Sequence, residues 1–220
     1  MQFLYLKESG APRLKIEGEE FHYLFKVRRT KSEELPLFRN LEDGKLYRYK
    51  AVEIAKRHAD LELLEAKEEE KIPRAFFHLL WAVVDAKTIE KSLPMLNELG
   101  VGKISFFYAR YSQRDIRLDM ERLGRILIHS CEQSGRTRLP VIECFKNLEE
   151  LLECYSDFGV MDFGGEILQP KVCQAIMVGP EGGFSQEERE KLVGQKRYSS
   201  GENLILKSET AALFALARSI

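Results

Sequence analysis

The sequence predicts an α/β domain built on a mostly parallel sheet, with a small β-rich domain in front of it. Three observations carry that expectation. Beyond residue 75, short unbroken apolar runs alternate with stretches whose apolar residues recur every three or four positions, the pattern of strands and helices in a parallel sheet. The first 64 or so residues lack that alternation and read as short strands rich in Tyr, Val and Ile. Between the two lies EAKEEEKIPRA, a charge run closing on Pro73, which puts the expected boundary at about 65–74.

In chain order, 24–27 fits a short helix, and 46–54 (LYRYKAVEI) and 59–64 (ADLELL) fit two strands around a polar turn. The run 75–84 (AFFHLLWAVV) is continuous and apolar, as a strand buried on both faces must be. Residues 85–99 place Ile89, Leu93, Leu96 and Leu99 on one helical stripe, and Gly100 supplies a stop. Pro94 falls inside this helix, where proline costs ~3 kcal/mol, so a kink or a late start is expected. The segment 103–108 (KISFFY) reads as the next strand. Residues 119–134 read as a helix with Met120, Leu123, Ile126, Leu127 and Cys131 on one face. Further apolar runs stand at 158–161, 175–178 and 204–206, with helical patterns at 185–194 and 209–218.

Bulk composition bounds the function. The 220 residues are 44% hydrophobic and 31% charged, ordinary for a globular chain. No apolar run approaches the ~18–20 residues a membrane span needs, and the N-terminus is no secretory signal, so a cytoplasmic location is expected. Cys131, Cys144, Cys154 and Cys173 include no C-x-x-C pair and His22, His58, His78 and His129 are scattered, so free thiols and no metal are expected. Net charge is −1, so nucleic-acid binding requires a local positive patch. The clusters available are Lys26, Arg28, Arg29 and Lys31; Arg110, Arg114 and Arg117; and Arg136 with Arg138. Acidic residues gather at 65–71, 148–153 and 186–190, which read as solvated faces.

The chemistry-bearing segments are two turns after strands. In AIMVGPEGGFSQEE (175–188) a strand ends at Val178 and a helix starts at Ser185, whose S-x-x-E spacing to Glu188 is a capping box. Paired glycines between them allow close backbone approach to a ligand, at the strand end where open α/β sheets bind ligands; a plain tight turn is the other reading. There is no G-K-[ST] and no G-x-G-x-x-G, and Glu181 repels phosphate. A ligand without phosphates fits better, and S-adenosylmethionine is one, with a neutral adenine edge and a cationic sulfonium. The second turn, in SSGENLILKSETAALFALA (199–217), leads into an apolar helix that Ser208 or Thr210 can cap.

On these residues the chain resembles the RsmE family, bacterial 16S rRNA uridine-N3 methyltransferases of the SPOUT class. GPEGGFS at 179–185 and ILKSETA at 205–211 are similar to its two cofactor turns, NELGV at 97–101 to its ELGV segment, and CEQSGRTRLP at 131–140 to its EQ-x-GR stretch. His22 with Val27 and Arg28 resembles its H-x-x-x-V-L-R pattern. The departures are Lys207 for an arginine, Leu204 where a second arginine often stands, Met95 for a lysine, Pro94 beside it, and RNLEDG at 39–44 as an insertion. Lysine does not replace arginine where bidentate contact matters.

The resemblance implies a PUA-like RNA-binding β-barrel at 1–70 and a trefoil-knotted SPOUT domain at 71–220, a homodimer, S-adenosylmethionine as cofactor, and 16S rRNA or the small ribosomal subunit as partner. Carried onto this sequence, residues 162–164, 179–183 and 200–206 hold the cofactor, with Gly179, Glu181, Gly182, Gly183, Gly201, Leu204 and Leu206 binding it. Arg136 is the first choice for stabilising the uracil anion, Arg110 the second, and Glu132 orients one of them. His22, Arg28 and Arg29 are the RNA-docking residues. Two other readings stay open: a non-catalytic RNA-binding or ribosome-assembly protein that keeps the fold, and a nucleotide-binding transferase whose glycine turn serves another ligand.

Overall fold

The computed structural model describes residues 2–31, 35–113 and 116–220. The chain forms two compact units, Met1–Ile72 with Cys131–Leu139, and Pro73–Ser130 with Pro140–Ile220.

The first unit carries a five-stranded sheet. Its elements are β1 (Leu4–Tyr5), β2 (Arg13–Glu17), α1 (Gly18–Phe21), a π-helical turn at His22–Val27, β3 (Phe38–Arg39), β4 (Lys45–Ile54) and β5 (His58–Glu68), and the strand order is β1-β3-β4-β5-β2. All pairings are antiparallel except β1 with β3. In β2, burial alternates strictly, so Leu14 and Ile16 join Phe21, Leu24, Phe38, Tyr49 and Leu61 in the core while Arg13, Lys15 and Glu17 face water. The charged segment 65–71 is not wholly a connector: β5 runs on to Glu68, and Glu65 and Glu68 pair across the strands with Arg48 and Lys45. A solvent-facing strand end needs no apolar alternation, so charge there does not mark a linker. The RNLEDG segment is an ordered turn, with Asn40 Oδ1 accepting from the Glu42 and Asp43 amides and Asp43 accepting from the Tyr47 hydroxyl. Segment 131–139 belongs here: the Tyr5 amide donates to Glu132 Oε1 at 2.8 Å and the Thr137 amide to the Lys71 carbonyl at 3.0 Å.

The second unit is a six-stranded, wholly parallel sheet with helices on both faces. Its elements are β6 (His78–Ala82), α2 (Ala86–Glu98), β7 (Lys103–Phe107), α3 (Met120–Ser134), β8 (Val141–Phe145), α4 (Leu148–Cys154), β9 (Gly159–Ile167), β10 (Ala175–Val178), α5 (Gln186–Lys191), β11 (Lys196–Ser199) and α6 (Ser208–Ser219). Strand order is β11-β9-β10-β6-β7-β8, so β10 enters between β9 and β6. Every residue of β6 is buried because alternate side chains feed two cores. Leu79 and Trp81 pack with Ile89, Leu93, Leu127 and Leu216, while Leu80 and Ala82 pack with Phe107, Leu148, Leu151 and Phe184.

Several expectations give way to the structure. The helix around Pro94 starts on time at Ala86, because Asp85 caps it by accepting from the Thr88 amide at 3.0 Å. Residues 204–206 form no strand; Leu204 and Ile205 lie in an exposed loop, and the strand of this region is β11, whose KRYS carries a single buried side chain. The acidic stretch 148–153 is α4, which buries Leu148 and Leu151 behind a solvated acidic face. Ser208 and Thr210 do not cap α6; Lys207 is the N-cap residue, without a side-chain bond.

Candidate functional site

The parallel strands direct their C-terminal ends to one edge, and three segments come together there: the irregular middle of β9, the turn after β10 and the loop after β11. β9 pairs with β10 only through Met161, and its register with β11 jumps from Val160↔Arg197 to Glu166↔Tyr198. Residues 162–165 are thereby released from the ladder and project beyond the end of β10. The turn after β10 closes through the Gly183 amide donating to the Pro180 carbonyl at 2.9 Å. Gly183 has φ +68° and Gly201 φ +79°, left-handed values that glycine adopts without strain. The capping box forms as expected, Ser185 Oγ accepting from the Glu188 amide and Glu188 Oε2 from the Ser185 amide.

These loops enclose a cavity of about 300 Å³, lined in part by residues 161–164, 178–181, 183–184 and 198–202. The two turns singled out in the sequence therefore meet. They are fastened by Ser208: its hydroxyl donates to the Gly179 carbonyl at 2.6 Å and accepts from the buried Trp81 Nε1 at 2.9 Å. Sequence reasoning gave Ser208 a capping role because a hydroxyl at a helix start ordinarily does that. A second fastening joins the middle of β9 to the turn after β10. Arg189 pairs with Asp162, whose side chain is only 7% exposed, and donates from Nε to the Phe184 carbonyl at 3.1 Å.

Six of the seven residues expected to bind cofactor line this cavity: Gly179, Glu181, Gly183, Gly201, Leu204 and Leu206. Gly182 does not; a Cβ there would stand 3.0 Å from Tyr111 Cβ, on the side of β7. Tyr198, Ser208 and Ala211 also line it and were not expected; their sequence signal is only that of strand and helix core. Among the described residues that line the cavity there is no lysine, arginine or histidine, while Asp162, Glu181 and Glu202 are present. With Asp162 paired to Arg189, the acidity of the wall rests on Glu181 and Glu202; together with glycine turns and leucines it suits a cationic ligand with a flat apolar part, and disfavours a phosphate.

The residues expected to do chemistry fall in different units. Arg110 follows β7, exposed, its amide donating to Glu188 Oε1 at 2.8 Å. Glu132 and Arg136 belong to the first unit and are buried there; Arg136 Nε donates to the Arg138 carbonyl at 2.8 Å, and burial pushes its pKa down. His22, Arg28 and Arg29 are exposed on the π-helical turn and just after it, and Arg28 lies over the Tyr23 ring at 5.9 Å. Arg114 lies outside the described residues.

Fold and cavity define a class, that of RNA methyltransferase domains, whose family model matches residues 70–219. The chain belongs to the ribosomal RNA small subunit methyltransferase E family. It is 44% identical over 219 residues to the Helicobacter pylori (strain J99) member, covering 97% of each chain. Among solved structures it superposes on the Neisseria gonorrhoeae ribosomal RNA small subunit methyltransferase E bound to S-adenosyl methionine with a TM-score of 0.81. There the sequences are 24% identical, and the match covers 99% of this chain and 95% of that one. A Legionella pneumophila methyltransferase in complex with the same cofactor gives a TM-score of 0.81 at 23% identity, covering 97% and 94%.

Proposed function

We propose that the protein transfers the methyl group of S-adenosylmethionine to N3 of a uridine in 16S rRNA. The observation that carries this reading is the cavity where the two glycine turns meet, which is acidic, free of basic side chains among the described residues, and flanked by Leu204 and Leu206. Backbone groups of Gly179, Glu181, Gly183 and Gly201 would meet the adenine and ribose, the leucines would pack the adenine faces, and the acidic rim would tolerate the sulfonium. Gly182 supports the turn from outside. The cofactor supplies a methyl carbon activated by positive sulfur.

The chain's own residues supply positioning and charge. The uracil would leave its stack at a cost of a few kcal/mol; N3 would take the methyl carbon and release its proton to water, while the carbon–sulfur bonding pair would return to sulfur. A cation beside the base stabilises the developing uracil anion. Arg136 is assigned to it first and Arg110 second, with Glu132 orienting one of them. His22, Arg28 and Arg29 would dock rRNA.

The remaining parts of the reading are a domain division at 1–70 and 71–220, a PUA-like barrel formed by the first sheet, a trefoil knot around the loops after β9 to β11, a homodimer, and action in the cytoplasm. The insertion of β10 between β9 and β6 supports the knot. Among the described residues no helix is long and apolar enough to cross a membrane. Nucleoside mass spectrometry of small-subunit rRNA tests the function: 3-methyluridine is expected to vanish on deletion of the gene and to return on complementation. Its persistence in the deletion strain would overturn the assignment.

A further inference from the structure

A second cleft, of about 530 Å³, opens at the C-terminal ends of β7 and β8. It shares a wall with the cofactor cavity, since Gly183 and Phe184 face the first and Ser185, Glu187 and Glu188 face the second. The wall is fixed from both sides, by the Arg110 amide on Glu188 and by the contact of Gly182 with Tyr111. The floor is apolar: Ala109 and Leu148 are buried and Tyr108 and Ile116 half-buried, with the Tyr108 hydroxyl donating to the Ile116 carbonyl at 2.8 Å.

Around this floor stand Arg110, Arg117 and Lys146, all exposed, and none of the three side chains forms an ion pair among the described residues. The acids nearby are largely committed. Glu149 is paired with Lys191, and Glu188 is held by two backbone amides, so among the described residues lining the cleft the three free cations face the charges of Glu187 and Glu188 alone. A chain of net charge −1 thus keeps a local surplus of cations beside a cavity that has none in its lining. Unpaired cations over a fixed aromatic and aliphatic floor are the elements of a single-strand nucleic-acid site, phosphates on the cations and a base on the floor.

We propose that this cleft holds the single-stranded RNA segment flanking the methylated nucleotide, with backbone phosphates on Arg117 and Lys146. The assignment rests on the reading of the neighbouring cavity as the methyl-donor site, because the shared wall then sets a nucleotide in the cleft beside the reacting one.

The test compares the full-length protein with the double variant Arg117→Glu/Lys146→Glu and a charge-matched control, Lys87→Glu/Lys91→Glu on α2. Anisotropy of a fluorescent oligouridylate is measured over a salt series, and S-adenosylmethionine binding is measured by calorimetry on the same preparations. The double variant is expected to lose affinity for the oligouridylate by roughly tenfold or more and to lower the salt slope by about 1–2. Its donor affinity should be unchanged, and the control should behave as wild type. Equal affinity and slope in the cleft variant, an equal loss in the control, or no binding of oligouridylate by wild type overturns the inference while leaving the methyltransferase reading intact. Failure of the wild type to bind the donor removes the cavity reading, and this inference with it.

Discussion

Ser208 shows how much one small side chain can carry. It satisfies the indole N–H of Trp81, which is fully buried, and at the same time holds the Gly179 carbonyl against α6. Ser208→Ala leaves that N–H without a partner, so unfolding free energy should fall by about 1–3 kcal/mol in denaturant titration. S-adenosylmethionine affinity should fall as well, since the latch between the turns is gone; unchanged affinity would show that the latch does not shape the cavity. Gly179 gives a second test, because a Cβ there meets the Phe184 ring at 3.1 Å on the cavity wall. Gly179→Val should weaken donor binding by roughly tenfold or more, a change of about 1.4 kcal/mol, in calorimetry. At this scale the sequence displays glycines well, because turns after strands need them. It hides Ser208 and Arg189, whose partners are distant in sequence: Trp81 and Asp162 are 127 and 27 positions away.

Elements were legible where one periodicity dominates. β6, β7, β10, α2 and α3 appear within a few residues of their expected bounds because each buries a continuous run or a single stripe. Strand β8 and strand β11 were missed because they lie at the two sheet edges, where fewer side chains need be apolar. The sheet also holds a polar cluster that no periodicity announces. His78 on β6 contacts Ser105 on β7 at 2.6 Å, Ser105 donates to Glu143 on β8 at 2.5 Å, and Lys103 and Tyr155 complete the group. Burial, helped by the Lys103 charge, pulls the His78 pKa down from 6.5 to about 4. Because the folded-state value is the lower one, protonation favours unfolding. Stability is full above pH 6.5 and should decline as pH falls toward 4, by on the order of 2–3 kcal/mol. Urea midpoints measured across that window should slope in the wild type and flatten in His78→Gln. Helix α5 offers a companion test: Ser185→Ala removes the capping box at the cavity wall and should cost about 0.5–2 kcal/mol.

On the scale of the whole molecule, the parallel α/β unit could be read from alternating patterns, and the β-rich start from its composition. The assignment of 131–139 to the first unit could not, because those residues finish a helix whose stripe looks continuous with the second. Long-range pairings such as the Thr137 amide on the Lys71 carbonyl decide it, and no local pattern encodes them. The same limit applies to the meeting of the middle of β9 with the turn after β10 and the loop after β11. Strand order creates it, while the sequence presents the three segments well apart along the chain. What the whole fold accomplishes is to bring an acidic, glycine-turned cavity to the carboxyl edge of a rigid sheet, with a cationic cleft sharing its wall. The most direct test is a crystal structure of the protein grown with S-adenosylmethionine. Electron density for the donor should lie between Gly179 and Leu206, its adenine beside Leu204 and its sulfonium toward the acidic rim. Density in any other part of the molecule, with this cavity left to solvent, would contradict the account.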